Sequence, residues 1–380
     1  YEITYGDWSS DVCSSDLLSY WGSVVATRLT AACCQRSPPS WPRRWSRSPE
    51  AAAAQQKTGP EGPVSALLLA ADRVGREPVG NSFLNDEPIG PAVHAEDHDL
   101  SSLLPERPVG ELARVARTCD RAGYAYVGVC DHVALPEAVA GSMGTHWVDP
   151  VSTLGWLAAH TERTMLLSHV YVLPYRHPLM AAKQFATIDH LSGGRMICGV
   201  GAGHVQAEFE ALGFDFHRRG RAVDEAIPVI IDALTNEFVN GFGARPRPAQ
   251  SPRPPIWVAG SSPAAIARAG RLADGWLPQG PSNAAMVESL LQAREAAGRA
   301  DEQMAIGHIT PFLHVGDATW DVGEAALAGS PQSIAERILS GTADGVNQLQ
   351  VRFKARSCDE LCDQLEAFAA EVAPMLTTVS

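Results

Sequence analysis

Asp131 and His132 stand side by side at the end of the short apolar run 124–130, and they are the pair here best suited to moving a proton. An imidazole titrates near neutral pH, so a histidine beside a bound molecule can donate or accept. An adjacent carboxylate can hold the ring or touch a cofactor, although Asp after a strand is also an ordinary cap. Two glycine-bearing turns come next in interest. Gly199-Val200-Gly201-Ala202-Gly203 joins a strand to a helix, and Gly260-Ser261-Ser262-Pro263 does the same later in the chain. Glycines let backbone N–H groups approach a ligand closely. The first run reads GxGxG rather than GxGxxG, so it is not a dinucleotide fingerprint. In the second, free N–H groups at a helix start suit an anion or a carbonyl-rich ring edge, and a Ser cap followed by Pro explains the same residues equally well. Ser168-His169-Val170 lies in an apolar strand, where His169 on its own reads as a core residue. No CxxC pair and no His/Cys cluster at zinc spacing occurs, so no metal is expected.

These residues need elements to hold them. Period and breaker residues predict strands at 99–104, 124–130, 165–173, 195–200, 255–260, 275–278, 305–315 and 348–353. Helices are predicted at 108–122, 149–161, 177–190, 205–236 (broken near Gly213), 263–273, 283–298, 331–341 and 358–375. Strands that alternate with helices imply a parallel sheet, and eight such units in one domain imply a (β/α)8 TIM barrel. A doubly wound open sheet is the rival topology. In a barrel the reactive face is the C-terminal end of the strands. That directs attention to Asp131-His132, Ser168 to Val172, Gly199 to His204, Gly260 to Ser262, Gln279-Gly280 and Arg352.

The chain has 380 residues, a formal charge of −13, 45% hydrophobic and 19% charged residues, which suits a globular core. The acidic balance speaks against a nucleic-acid partner, and no apolar run reaches the length of a membrane span. Eight scattered cysteines suit a reducing, cytoplasmic setting. The barrel is expected over 97–380. Residues 1–96 read as a disordered or non-native extension: 33–62 is rich in Pro, Ser, Arg and Ala with no period, and 6–17 (GDWSSDVCSSDL) resembles a translated sequencing adapter.

The run HPLMAAKQFATIDHLSGGRMICGVGAGHVQAEFEALG (177–213) resembles the luciferase-like monooxygenase superfamily, and most closely its members that use the deazaflavin coenzyme F420. Other matching pieces follow the same order: LARVARTCDRAGYAYVGVCDHV (112–133), DPVSTLGWLAAHTERTMLLSHVYVLPYRHP (149–178), PIWVAGSSPAAIARAGRLADGW (255–276) and SPQSIAERI (330–338). The resemblance implies a bacterial-luciferase-type barrel with flavin or deazaflavin at its mouth. It implies that His132 lies beside the reactive ring carbon with Asp131 next to it. It further implies a bulge with a non-prolyl cis peptide at Ser168-His169-Val170, supporting the ring. Gly201, Gly203, Gly260, Ser261 and Ser262 would form a second cofactor-binding wall, and Gln279-Gly280 would hold a phosphate or ribityl chain. Some deazaflavin dehydrogenases carry Glu where this chain has His204, which would face the substrate; Trp147, from its place in the loop after the second strand, reads as a substrate wall or as an exposed loop aromatic. The usual first strand is absent, and DLSSLLPERP stands in its place, which predicts a gap in the barrel.

The function expected is hydride transfer between F420 and a small organic substrate. An FMN-dependent monooxygenase using O2 is the first alternative, and a non-catalytic flavin-binding or defective barrel the second. A homodimer is expected from the resemblance.

Overall fold

The computed structural model describes the backbone of Gly90–His94, residues 110–143 and residues 147–376. The adapter-like string 6–17, the segment 33–62 and the strand expected at 99–104 lie outside the described residues.

Eight strands form the barrel: β1 Gly90–His94, β2 Tyr126–Val129, β3 Met165–Ser168, β4 Met196–Gly201, β5 Ile256–Ala259, β6 Gly275–Leu277, β7 Ala305–Val315 and β8 Gln348–Phe353. Every neighbouring pair is parallel, and β8 pairs β1, so the sheet closes on itself. This removes the open-sheet alternative. It also corrects the expected gap. Gly90–His94 fills the place between β8 and β2, ahead of the boundary drawn at residue 97. The segment GPAVH is short and opens with Gly and Pro, both poor strand formers, so it carries no strand signal of its own.

The helices that follow the strands are α1 Gly110–Ala122, α2 Pro150–Ala158, α3 Pro178–Ser192, α4 Arg219–Thr235, α5 Pro263–Leu272, α6 Ala284–Ala296, α7 Pro331–Gly341 and α8 Cys358–Ala367. Local chemistry sets their ends. Asp149, Ser262, Asn283, Ser330 and Ser357 each accept a hydrogen bond from a backbone N–H of the first turn, and Pro stands at the first position of α2, α3, α5 and α7. Gly193 ends α3 in the left-handed region at φ 70°.

Apolar side chains divide by strand period. Tyr126, Leu167, Ile197, Trp257 and Leu277 fill the barrel interior, where the edge of Tyr126 meets Trp257 with ring centroids 5.3 Å apart. Val127, Leu166, Cys198, Val258 and Val351 point the other way into the larger core under the helices. Buried Arg195 ties the start of β4 to its neighbours through the carbonyls of Ala158, Thr161, Thr164 and Ser192. No helix among the described residues is long and apolar enough to cross a membrane.

Candidate active site at the barrel mouth

His132 sits just past β2, and its ring is held from three sides. Nδ1 lies 3.1 Å from Oε2 of Glu208. Trp147 meets the ring nearly edge-on at 4.7 Å between centroids, and His204 does so at 5.7 Å. Glu208 belongs to the helix Gln206–Leu212 and is only 1% exposed. Its other oxygen accepts from the N–H groups of Val133 and Ala134. Burial alone would raise this carboxyl. The two backbone N–H groups and the His132 ring outweigh that and hold it below the usual glutamate range. An ionised carboxylate only accepts, so Nδ1 of His132 carries the proton and Nε2 is the ring atom left for exchange. Partial burial and the neighbouring His132 push His204 below the ordinary histidine value.

The expected strand 165–173 is split. After Ser168 the chain bulges, the His169–Val170 peptide is cis as the resemblance implied, and Tyr171–Val172 resumes pairing beside β4. The glycines of β4 make room for this bulge. A Cβ on Gly199 would stand 2.0 Å from the Ser168 carbonyl oxygen, and one on Gly201 would stand 2.7 Å from Cγ2 of Val170. Gly203 has φ 76° and abuts Phe209 and Val172. These glycines therefore face protein. Ser168 in turn donates to the Gly199 carbonyl at 2.8 Å.

Asp131 is 3% exposed, and its carboxylate is occupied by protein partners. Arg176 grips both oxygens through its two terminal nitrogens, and the Val172 N–H donates at 2.8 Å. The same guanidinium lies over the Tyr171 ring, 4.2 Å from its centroid. Asp131 thus fastens the end of β2 to the segment after the bulge.

At β5 and β6, the Ser261 hydroxyl links the two loops, receiving the Gln279 N–H at 2.8 Å and facing the Gln279 carbonyl at 3.3 Å. Ser262 caps α5 through the Ala265 N–H at 3.3 Å, so its hydroxyl serves its own helix. Gly260 and Gly280 both take positive φ, 120° and 101°. Gly260 accepts the indole N–H of Trp276 at 2.9 Å, and Gln279 is exposed.

Val170 and Ala259 are half-buried and apolar at the top of the interior cluster. His132 offers proton exchange at one side, and the buried indole Nε1 of Trp147 has no hydrogen-bond partner among the described residues. Two features escaped the sequence reading. Glu208 gave no signal, since a Glu within QAEFEAL resembles any solvated helix position. Arg176, 45 residues from Asp131, announced no pairing.

A closed parallel barrel with a held histidine at its C-terminal mouth is the architecture of a barrel enzyme site. The chain belongs to the luciferase-like monooxygenase family, whose pattern matches residues 91–320. It is 29% identical over 207 residues to an uncharacterized protein of Mycobacterium tuberculosis, covering 49% of this chain and 72% of that one. It is 27% identical over 227 residues to an FMNH(2)-dependent dimethylsulfone monooxygenase of Pseudomonas putida, covering 57% and 60%. In fold it is similar to the coenzyme F420-dependent tetrahydromethanopterin reductase of Methanopyrus kandleri, with a TM-score of 0.59 at 20% identity, over 76% of this chain and 99% of that one.

Proposed function

We propose that this chain is an oxidoreductase that transfers a hydride between coenzyme F420 and a small organic substrate. The observation that carries the reading is the fixed imidazole of His132, with Nδ1 bound to an ionised, buried Glu208 and Nε2 left free to exchange a proton. When bound, the deazaflavin supplies the hydride chemistry. The protein's part is position and proton. Val170 and Ala259 would underlie the ring, Trp147 would offer its unpaired N–H, and His132 would protonate or deprotonate the substrate oxygen or nitrogen. A cytoplasmic setting, a small-molecule substrate and a homodimer belong to the same reading.

The FMN-dependent monooxygenase is the second reading, favoured by the similarity to the Pseudomonas putida enzyme described as FMNH(2)-dependent. Titration of the protein with F420 and with FMN, followed by fluorescence and thermal shift, separates the two. A ligand at 100 times its dissociation constant stabilises the fold by about 2.7 kcal/mol. A shift with F420 alone supports hydride transfer, and a shift with FMN alone supports the second reading. A folded protein that responds to neither overturns both.

A further inference from the structure

β8 carries a column of inward polar side chains. Leu349, Val351 and Phe353 pack into the core under the helices, so Gln350 and Arg352 face the barrel interior by the two-residue period of a strand. Lys354 prolongs the column. Its N–H donates to the Leu313 carbonyl at 2.9 Å, and its ammonium lies 4.4 Å from the centroid of the Phe312 ring. The Arg352 guanidinium lies 4.5 Å from the same centroid. Phe312 is the register partner of Arg352, just beyond a bulge in β7, and Arg352 donates from Nε and Nη2 to the Thr310 carbonyl exposed by that bulge. Two cations therefore share one aromatic ring at the C-terminal ends of β7 and β8.

The cations around the mouth differ in how their charge is met. Arg356 is paired with Glu360, and Arg176 with Asp131. Lys354 has no carboxylate partner among the described residues, in a chain whose net charge is −13. Below this pair, Gln350 is fully buried. Register through Ala92 places Gln350 level with Tyr126, whose buried hydroxyl its side chain meets.

We propose that Lys354, set on Phe312 beside Arg352, forms a subsite for an anionic group, a carboxylate or phosphate, of the molecule bound at the mouth. Only β1 separates β8 from β2, so the subsite lies about 10 Å from the His132 side at ordinary strand spacing. The ends of strands seven and eight are a recurrent place for phosphate in such barrels. The residues after β5 and β6, by contrast, supply no cation: they are Gly260, Ser261, Ser262, Gln279 and Gly280. The inference rests on the proposed function for the mouth as the binding face, and it adds the charge of what binds there. The anion comes either from the cofactor's phosphate-bearing tail or from the substrate.

The test compares the wild-type chain with Lys354→Gln and Lys354→Arg in equilibrium titrations and thermal shift. The probes are F420, its tail-less deazaflavin, FMN, riboflavin and inorganic phosphate. If the cofactor supplies the anion, Lys354→Gln weakens F420 or FMN at least tenfold, leaves the tail-less forms within twofold, and Lys354→Arg restores binding. If the substrate supplies it, ring ligands bind all three proteins alike, while millimolar phosphate raises the Tm of wild type and Lys354→Arg but not of Lys354→Gln. Unchanged ring affinities together with no phosphate-dependent difference in Tm overturn the subsite. The phosphate arm needs no cofactor, so phosphate binding through Lys354 in a protein that takes neither F420 nor FMN would overturn the proposed function and leave the subsite standing.

Discussion

The carboxylate of Glu208 lies 3.1 Å from Nδ1 of His132 although 76 residues separate them in the chain. One oxygen takes the ring, and the other takes the two backbone N–H groups that follow His132. A single buried side chain thus fixes both the tautomer of the imidazole and the path of the loop that carries it.

Glu208→Gln keeps the shape of this contact and removes its charge. We expect kcat/KM to fall by roughly 10²-fold, the lower end of what a positioned acid–base group contributes. Cofactor affinity should stay within a few-fold. His132→Ala should lose at least as much, and the double variant little more than His132→Ala alone, since Glu208 acts through the ring. Steady-state kinetics on the three variants, with cofactor titrations alongside, measures this; additive losses would mean that Glu208 does not act through His132.

Gly199→Ala should be among the most damaging small changes in the chain. Its Cβ would meet the Ser168 carbonyl oxygen at 2.0 Å, and backbone cannot rotate away. A loss of about 3 kcal/mol or more is expected from overpacking of this kind. Gly155 is the control: it lies inside α2, with nothing within 4 Å of an added methyl, so Gly155→Ala should stabilise by about 0.5–1 kcal/mol. Urea melts of both variants make the comparison.

Arg176→Met would leave Asp131 buried with only the Val172 N–H as partner. Breaking a buried pair from one side costs about 3 kcal/mol. Adding Asp131→Asn to it should recover part of that loss, because the uncompensated charge is gone. No recovery in the double variant would show that the packing of Arg176 on Tyr171, not the charge pair, carries the stability.

His308 gives a prediction in pH. It is 3% exposed, its Nδ1 lies 3.0 Å from the Ser282 hydroxyl, and burial pushes it below the ordinary histidine value, partly offset by the Ser282 backbone. The folded state therefore favours the neutral ring. That contribution is intact above the unfolded value of about 6.5 and is lost as pH falls below it. Glu208 acts in a lower window: its depressed value stabilises the fold above about 4.3 and loses that effect on further acidification. Between pH 7.5 and 5.0 the urea midpoint should drop more in wild type than in His308→Gln. Equal drops would remove His308 as the titrating group.

The order of elements was readable because seven strands announce themselves by apolar runs bounded by turns and caps. β1 did not: five residues opening with Gly-Pro carry little propensity, and only pairing to β8 and β2 defines them. His132 was legible because it follows a strand. Its partner was not, since a helix of seven residues says nothing of which face is buried until the barrel places it. The serines illustrate the converse: Ser262 reads equally as cap and as ligand donor in sequence, and its bond to the Ala265 N–H selects the cap.

Closure of the barrel bears on how this chain behaves in company. A ring of eight paired strands presents no open ladder to a neighbour. The strand pieces that remain among the described residues, Tyr171–Val172, Phe238–Val239, Phe242–Gly243 and Leu327–Gly329, are two or three residues long. Short edges are poor templates for cross-strand aggregation. Among the described residues, then, side-chain surfaces rather than backbone pairing are what a second folded copy would meet.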